Sequence, residues 1–169
     1  MSTRAEIGRC PGSGAIDGYL RELGRRNPGA RDELRTAWAD LKRRGAVSAA
    51  VAVYTARAVA CDARLGAGDG PSTSSLVVAF QSEEAAAGAY RQGMLSFTTP
   101  GADEEVDGLV QGAATGLGRS AWIVQRQVNG RATLVAYWQR HTVAAMVIAV
   151  DEDPLHARQA LTAVDGRIP

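Results

Sequence analysis

The apolar positions of the chain recur at helical spacing first and at strand spacing later. Over residues 15–26, Ile16, Tyr19, Leu20 and Leu23 share one helical face. Asn27-Pro28-Gly29 breaks that pattern. Leu34, Ala37, Trp38 and Leu41 then mark a second helix over 31–44, stopped by Gly45. The two predict a helical hairpin over 14–45, preceded by a flexible N-terminus over 1–13 where Gly, Pro and Ser cluster. Residues 46–169 are expected to form an α+β domain.

Residues 47–65 satisfy two templates. Val47, Val51, Tyr54, Ala58, Cys61 and Leu65 fit a helix, whereas Val51, Val53, Thr55, Val59 and Cys61 fit one face of a strand. The strand is preferred, because the next strand would otherwise be short of partners. Residues 66–75 carry loop composition. Residues 76–80 read as a buried strand. Ser82 caps a helix reaching to about residue 96, with Glu83 and Glu84 at its positive end and Ala86, Tyr90 and Met94 facing inward. Residues 98–107 form a loop with an acidic run.

The last third reads as a short strand over 109–113, then strands over 121–128, 132–139 and 142–150. Asn129-Gly130 predicts a two-residue hairpin turn, since a type I′ turn needs positive φ at both positions. Asp153 caps a final helix with Pro154 at its first position and Ala157, Leu161, Val164 and Ile168 on one side. The fold class expected is α+β: an antiparallel sheet of five or six strands with a C-terminal meander, helices packed on it, and the N-terminal helical hairpin.

That turn sets Val128 opposite Arg131, Val124 opposite Val135 and Trp122 opposite Tyr137. A second two-residue turn at Arg140-His141 would pair Val135 with Met146 and Ala136 with Ala145. One face then carries Trp122, Val124, Val135, Tyr137, Met146 and Ile148, a bulky seat for the two later helices. The other carries Ile123, Leu134, Ala136, Trp138, Val143, Ala145 and Val147. Both are apolar, so both need cover. The shallow, alanine-lined face calls for the N-terminal hairpin, a second copy of the chain or a small apolar ligand. Ile123, Leu134, Ala136, Trp138, Val143 and Ala145 are therefore candidate ligand or interface residues.

Charge narrows the partners. Nineteen basic and eighteen acidic residues leave a net charge of +1, which argues against a footprint for nucleic acid or anionic lipid. No apolar run is long enough to span a membrane. With Met1 as the native start the chain reads as cytoplasmic, and as extracytoplasmic if a preceding segment has been removed. Cys10 and Cys61 have no metal or redox spacing. They are either two separate thiols or, in an oxidising compartment, a disulfide.

No catalytic set or cofactor fingerprint stands out, and no metal cluster is expected. The glycine-rich stretch 112–118 lacks a P-loop lysine. His141 at a hairpin tip is a speculative acid or base. Arg119 and Arg126, near the ends of the meander, are speculative anion contacts.

Residues 76–80, 85–90, Gly116-Leu117-Gly118-Arg119-Ser120-Ala121, and Tyr137-Trp138-Gln139-Arg140 leading to Val147 carry a family pattern. In this the chain resembles a broad group of actinobacterial lipoprotein and sensor-type domains. There a Val-rich strand ending in Phe leads into an Ala-rich helix, and a Gly-Leu-Gly turn opens an antiparallel meander closed by a C-terminal helix. The resemblance spans roughly residues 50–168, with His141 standing where those domains have a Gly-Asn turn. It implies binding or sensing and brings no catalytic residues. The leading expectation is thus a non-catalytic binding or interaction domain using the shallow sheet face. The alternatives are a cofactor-free enzyme of secondary metabolism and a structural subunit docking by its N-terminal helices.

Overall fold

A computed structural model describes residues 8–67 and 70–169. Eight strands and four helices lie among them. They are β1 (Gly8–Arg9), β2 (Gly14–Ala15), α1 (Ile16–Arg26), α2 (Pro28–Arg43), β3 (Ala46–Thr55), β4 (Ser72–Phe80), α3 (Glu83–Gln92), β5 (Leu109–Gln111), β6 (Ala121–Val128), β7 (Arg131–Arg140), β8 (Val143–Val150) and α4 (Pro154–Asp165). The sheet order is β1-β3-β4-β8-β7-β6-β5, with β2 also on β3, and every pairing is antiparallel. The α+β class and antiparallel sheet stand. The strand count rises above the expected five or six because β1 and β2, two residues each, are too short to leave a periodic signal.

The Asn129-Gly130 turn forms with φ of 51° and 76°, and the β6–β7 register is the one its two-residue length dictates. The second hairpin turns at His141-Thr142 instead of Arg140-His141, so Val135 faces Ile148 and Ala136 faces Val147. The slip is by two residues. Since side chains alternate with period two, both faces keep their expected members.

What covers those faces differs from expectation. The bulky face, with Trp122, Val135, Tyr137 and Met146, lies in one core with Tyr19 and Leu23 of α1, Leu34 and Trp38 of α2, and Ala86 and Ala89 of α3. The N-terminal hairpin sits there, not on the shallow face. Its apolar stripes are spent on the core. Tyr137 donates its hydroxyl proton to the Ala89 carbonyl (2.9 Å), and burial pushes the pKa of that hydroxyl up. The shallow face, with Ala136, Trp138, Ala145 and Val147, packs under Ala157, Leu161 and Ile168 at and after α4. Alanines let one helix approach closely, and that helix supplies most of the cover.

Local chemistry explains the remaining shifts. Helix α2 begins at Pro28, not residue 31, because Asn27 is its cap: the side chain accepts the Ala30 N–H at 3.1 Å. Strand β3 stops at Thr55, and Ala58–Asp62 closes into a 3-10 turn. That exposes Val59 while Cys61 stays inside. Residues 72–75, expected in a loop, open β4. Helix α3 ends at Gln92, because Gly93 takes φ of 88°. Strand β5 ends at Gln111, and Gly112–Thr115 forms a 3-10 turn.

Of the N-terminus expected to be flexible over 1–13, residues 1–7 lie outside the described residues, and the rest is tied to the sheet. Gly8 and Arg9 pair with β3, and Cys10 is disulfide-bonded to Cys61. This segment also blunts the outer edge of β3, an unpaired edge being a site for unwanted strand addition. No helix among the described residues is long and apolar enough to cross a membrane.

Candidate functional site

Of the six apolar candidates, Ala136, Trp138 and Ala145 are wholly buried and Val143 nearly so. They pack in one cluster with Ala157 and Leu161 of α4. Ile123, half-buried, and Leu134, buried, line the compartments at the flank of α4.

Two compartments flank α4 and share Gln125 and Leu134. The first, about 280 Å³, is lined by Val110, Leu117, Ile123, Leu134 and Leu161. Its outer wall is the glycine-rich 108–118 segment. Gly108 holds φ of 75° there, and a Cβ would fall 2.0 Å from the Gln125 carbonyl oxygen, so only glycine lets the segment lie this close to β6. The second compartment, about 310 Å³, reaches from Arg126 to Glu152 and the first turn of α4. Both volumes sit at the small end of ligand sites.

The charged lining residues are Arg126, Glu152, Arg158 and Asp165. Asp165 is neutralised by Arg140 at 2.7 Å. Arg126 and Arg158 are exposed, and neither forms an ion pair with a described carboxylate. Glu152 Oε1 is buried without a hydrogen-bond partner. Burial, the largest cause, lifts the Glu152 carboxyl above its usual range; His156 and the Thr73 hydroxyl pull it down, while Asp153 adds to the lift. A raised folded-state pKa means that folding favours the protonated acid. The contribution is therefore complete below the usual value of 4.5 and lost as pH rises through the folded value. Glu152→Gln should raise the melting temperature at neutral pH, with the gain vanishing below pH 4.5. Melts of both proteins across that range check it.

The speculative polar residues scatter. Arg126 lines the second compartment. Arg119 is exposed and lines neither compartment. His141 stands at the β7–β8 turn with Nδ1 3.2 Å from Glu83 Oε1, an exposed pair. Arg158 was not singled out by sequence, because an arginine on the polar side of a helix looks like any solvated charge.

A second groove runs between α2 and the 92–98 segment, in compartments of about 350 and 550 Å³. Its charges are engaged with one another: Arg64 with Glu33 at 2.8 Å, and Arg43 and Arg44 with Asp40 at 3.1 and 2.9 Å. Arg44 also donates to the Gly93 carbonyl. Those groups hold the fold, whereas Arg126 and Arg158 are free to meet a ligand. Among the described residues no group of three His, Cys, Asp or Glu is placed to hold a metal ion. Comparison with protein-family models, with curated proteins and with solved structures gives no match for this chain.

Proposed function

We propose that the chain is a non-catalytic binding domain whose site is the cleft flanking α4. One observation carries this reading: at Ile123 and Leu134 the apolar sheet face borders two compartments beside α4, with glycine-rich backbone on one side and two arginines free of ion pairs. The site is a remnant of the shallow face, narrower than the alternation of the strands suggests. The Cys10–Cys61 disulfide supports an oxidising, extracytoplasmic place of work.

Octanol, a small neutral apolar probe, should shift the amide resonances of Val110, Leu117, Ile123, Leu134 and Leu161 in a two-dimensional NMR titration. Val110 is 42% exposed on β5 and lines the cleft mouth. Val110→Trp should fill that mouth, leave the melting temperature within about 1 °C through a surface change of small effect, and weaken octanol binding at least about tenfold. Shifts centred on Leu34, Leu65 and Phe97 would move the site to the α2 groove, and equal binding by the variant would remove it from the α4 cleft.

A further inference from the structure

The α4 cleft holds five large apolar side chains beside polar groups in its compartment of about 280 Å³ and has a waist flanked by arginines. Gln125 and Leu134 form that waist, with Arg126 lining one side and Arg158 the other. Setting aside Asp165, which Arg140 neutralises, the charged lining is Arg126 and Glu152 in one compartment and Arg158 in the other. The nearby charge of Asp153 is directed to the first turn of α4, where its carboxylate accepts the Leu155 N–H at 2.8 Å. A helix N-terminus offsets such a charge. One positive charge is left beside a compartment of about 280 Å³ whose lining includes Val110, Leu117, Ile123, Leu134 and Leu161.

Resting on the binding role proposed above, we infer that the ligand is a single-chain amphiphile with an anionic head, carboxylate or phosphate. The head lies between Arg126 and Arg158, and the chain runs inward over Ile123 and Leu161 toward Leu117. Guanidinium groups match both head types, because their planar forks bond two oxygens at once. An apolar chain without a head would leave the arginines unused, and a cationic head would face them directly. The overall charge of the chain, only +1, gives no general attraction for anions, so any preference must come from the cleft itself.

The test compares octanoate, octyl phosphate, octanol and octylamine on the intact protein, following the same amide resonances. Octanoate or octyl phosphate should bind at least about fivefold tighter than octanol, the size of one charge-assisted hydrogen bond at an exposed site. Octylamine should bind weakest. Whichever anion binds tighter identifies the head group. Arg126→Gln with Arg158→Gln, both exposed positions, should bring the anions down to the affinity of octanol and leave octanol unchanged. Arg158→Lys should keep part of the preference. Octanol binding with no preference for the anions overturns this inference and leaves the binding site standing. A preference that survives the double substitution also overturns it. Failure of all four probes removes both readings.

Discussion

Replacing Cys10 and Cys61 together with serine is expected to lower the folding free energy by about 4 kcal/mol. The two cysteines are 51 residues apart, and the loop they close holds α1, α2 and β3. Closing a loop of that length removes much of the freedom of the unfolded chain, and the loss scales with the logarithm of loop length. In the folded state the bond joins the β1 segment to the 3-10 turn after β3, with both cysteines buried and the Thr55 hydroxyl 3.8 and 3.6 Å from their sulfurs. Urea titrations decide the matter. The wild type in reductant should match the double variant, and the oxidised wild type should unfold at clearly higher urea. Coincident oxidised and reduced curves would show that the link does not constrain the unfolded chain. Loss of β1 pairing in the variant should appear as faster amide exchange at Thr55, which lies opposite Gly8 and points its N–H to the same side of β3 as the Val53 carbonyl that accepts the Cys10 N–H.

Sequence was most legible where one local signal fixes geometry. Asn129-Gly130 sets φ at two positions, and every β6–β7 pair follows from it. His141-Thr142 has no such signature, so the pattern predicts the turn one residue early and the register two residues out. Parity rescued the face assignments. Periodicity says which side of a strand is buried and nothing about which element buries it. The cover of the shallow face was thus open to several answers, and α4 took it because Ala157 and Leu161 follow directly on the central strand β8. The site was legible in the same measure. Ile123, Leu134 and Arg126 line the cleft, whereas Ala136, Trp138 and Ala145 lie too deep, and no pattern distinguishes the flank of a covered face from its centre. Arg158 needed the position of α4 before it meant anything.

The other hidden feature is the end of α3, and it carries the second large prediction. Alanine-rich sequence continues the helical pattern toward residue 96, yet the chain reverses at Gly93. Met94 and Phe97 exchange both backbone hydrogen bonds at 2.9 Å, across Leu95 and Ser96 with φ of 51° and 67°. Asparagine and glycine take that conformation easily. Leucine and serine each take it at a cost of about 1 kcal/mol. Surrounding contacts supply the difference. Met94 is buried, Arg44 donates to the Gly93 carbonyl at 3.0 Å, and Trp122 donates to the Thr99 hydroxyl, which itself donates to the Tyr90 carbonyl.

Gly93 is the keystone of this arrangement. It combines φ of 88° with ψ of 174°, a region open almost only to glycine. A Cβ there would fall 2.0 Å from the Phe97 carbonyl oxygen and 2.9 Å from the Thr98 Cα, both backbone atoms that no side-chain rotation can move. Gly93→Ala must therefore break the Met94–Phe97 pair as well as strain its own backbone. The expected loss is about 3 kcal/mol. Gly88, five residues earlier, is the control. It is helical, and a Cβ there meets only the Arg91 side chain, at 3.9 Å. Gly88→Ala should stabilise by about 0.8 kcal/mol, the helix preference of alanine over glycine. Urea midpoints for the two variants should thus move in opposite directions. A Gly93→Ala protein as stable as the wild type would mean that the helix simply runs on toward residue 96, as the sequence pattern suggested, and that the reversal is not built into the fold.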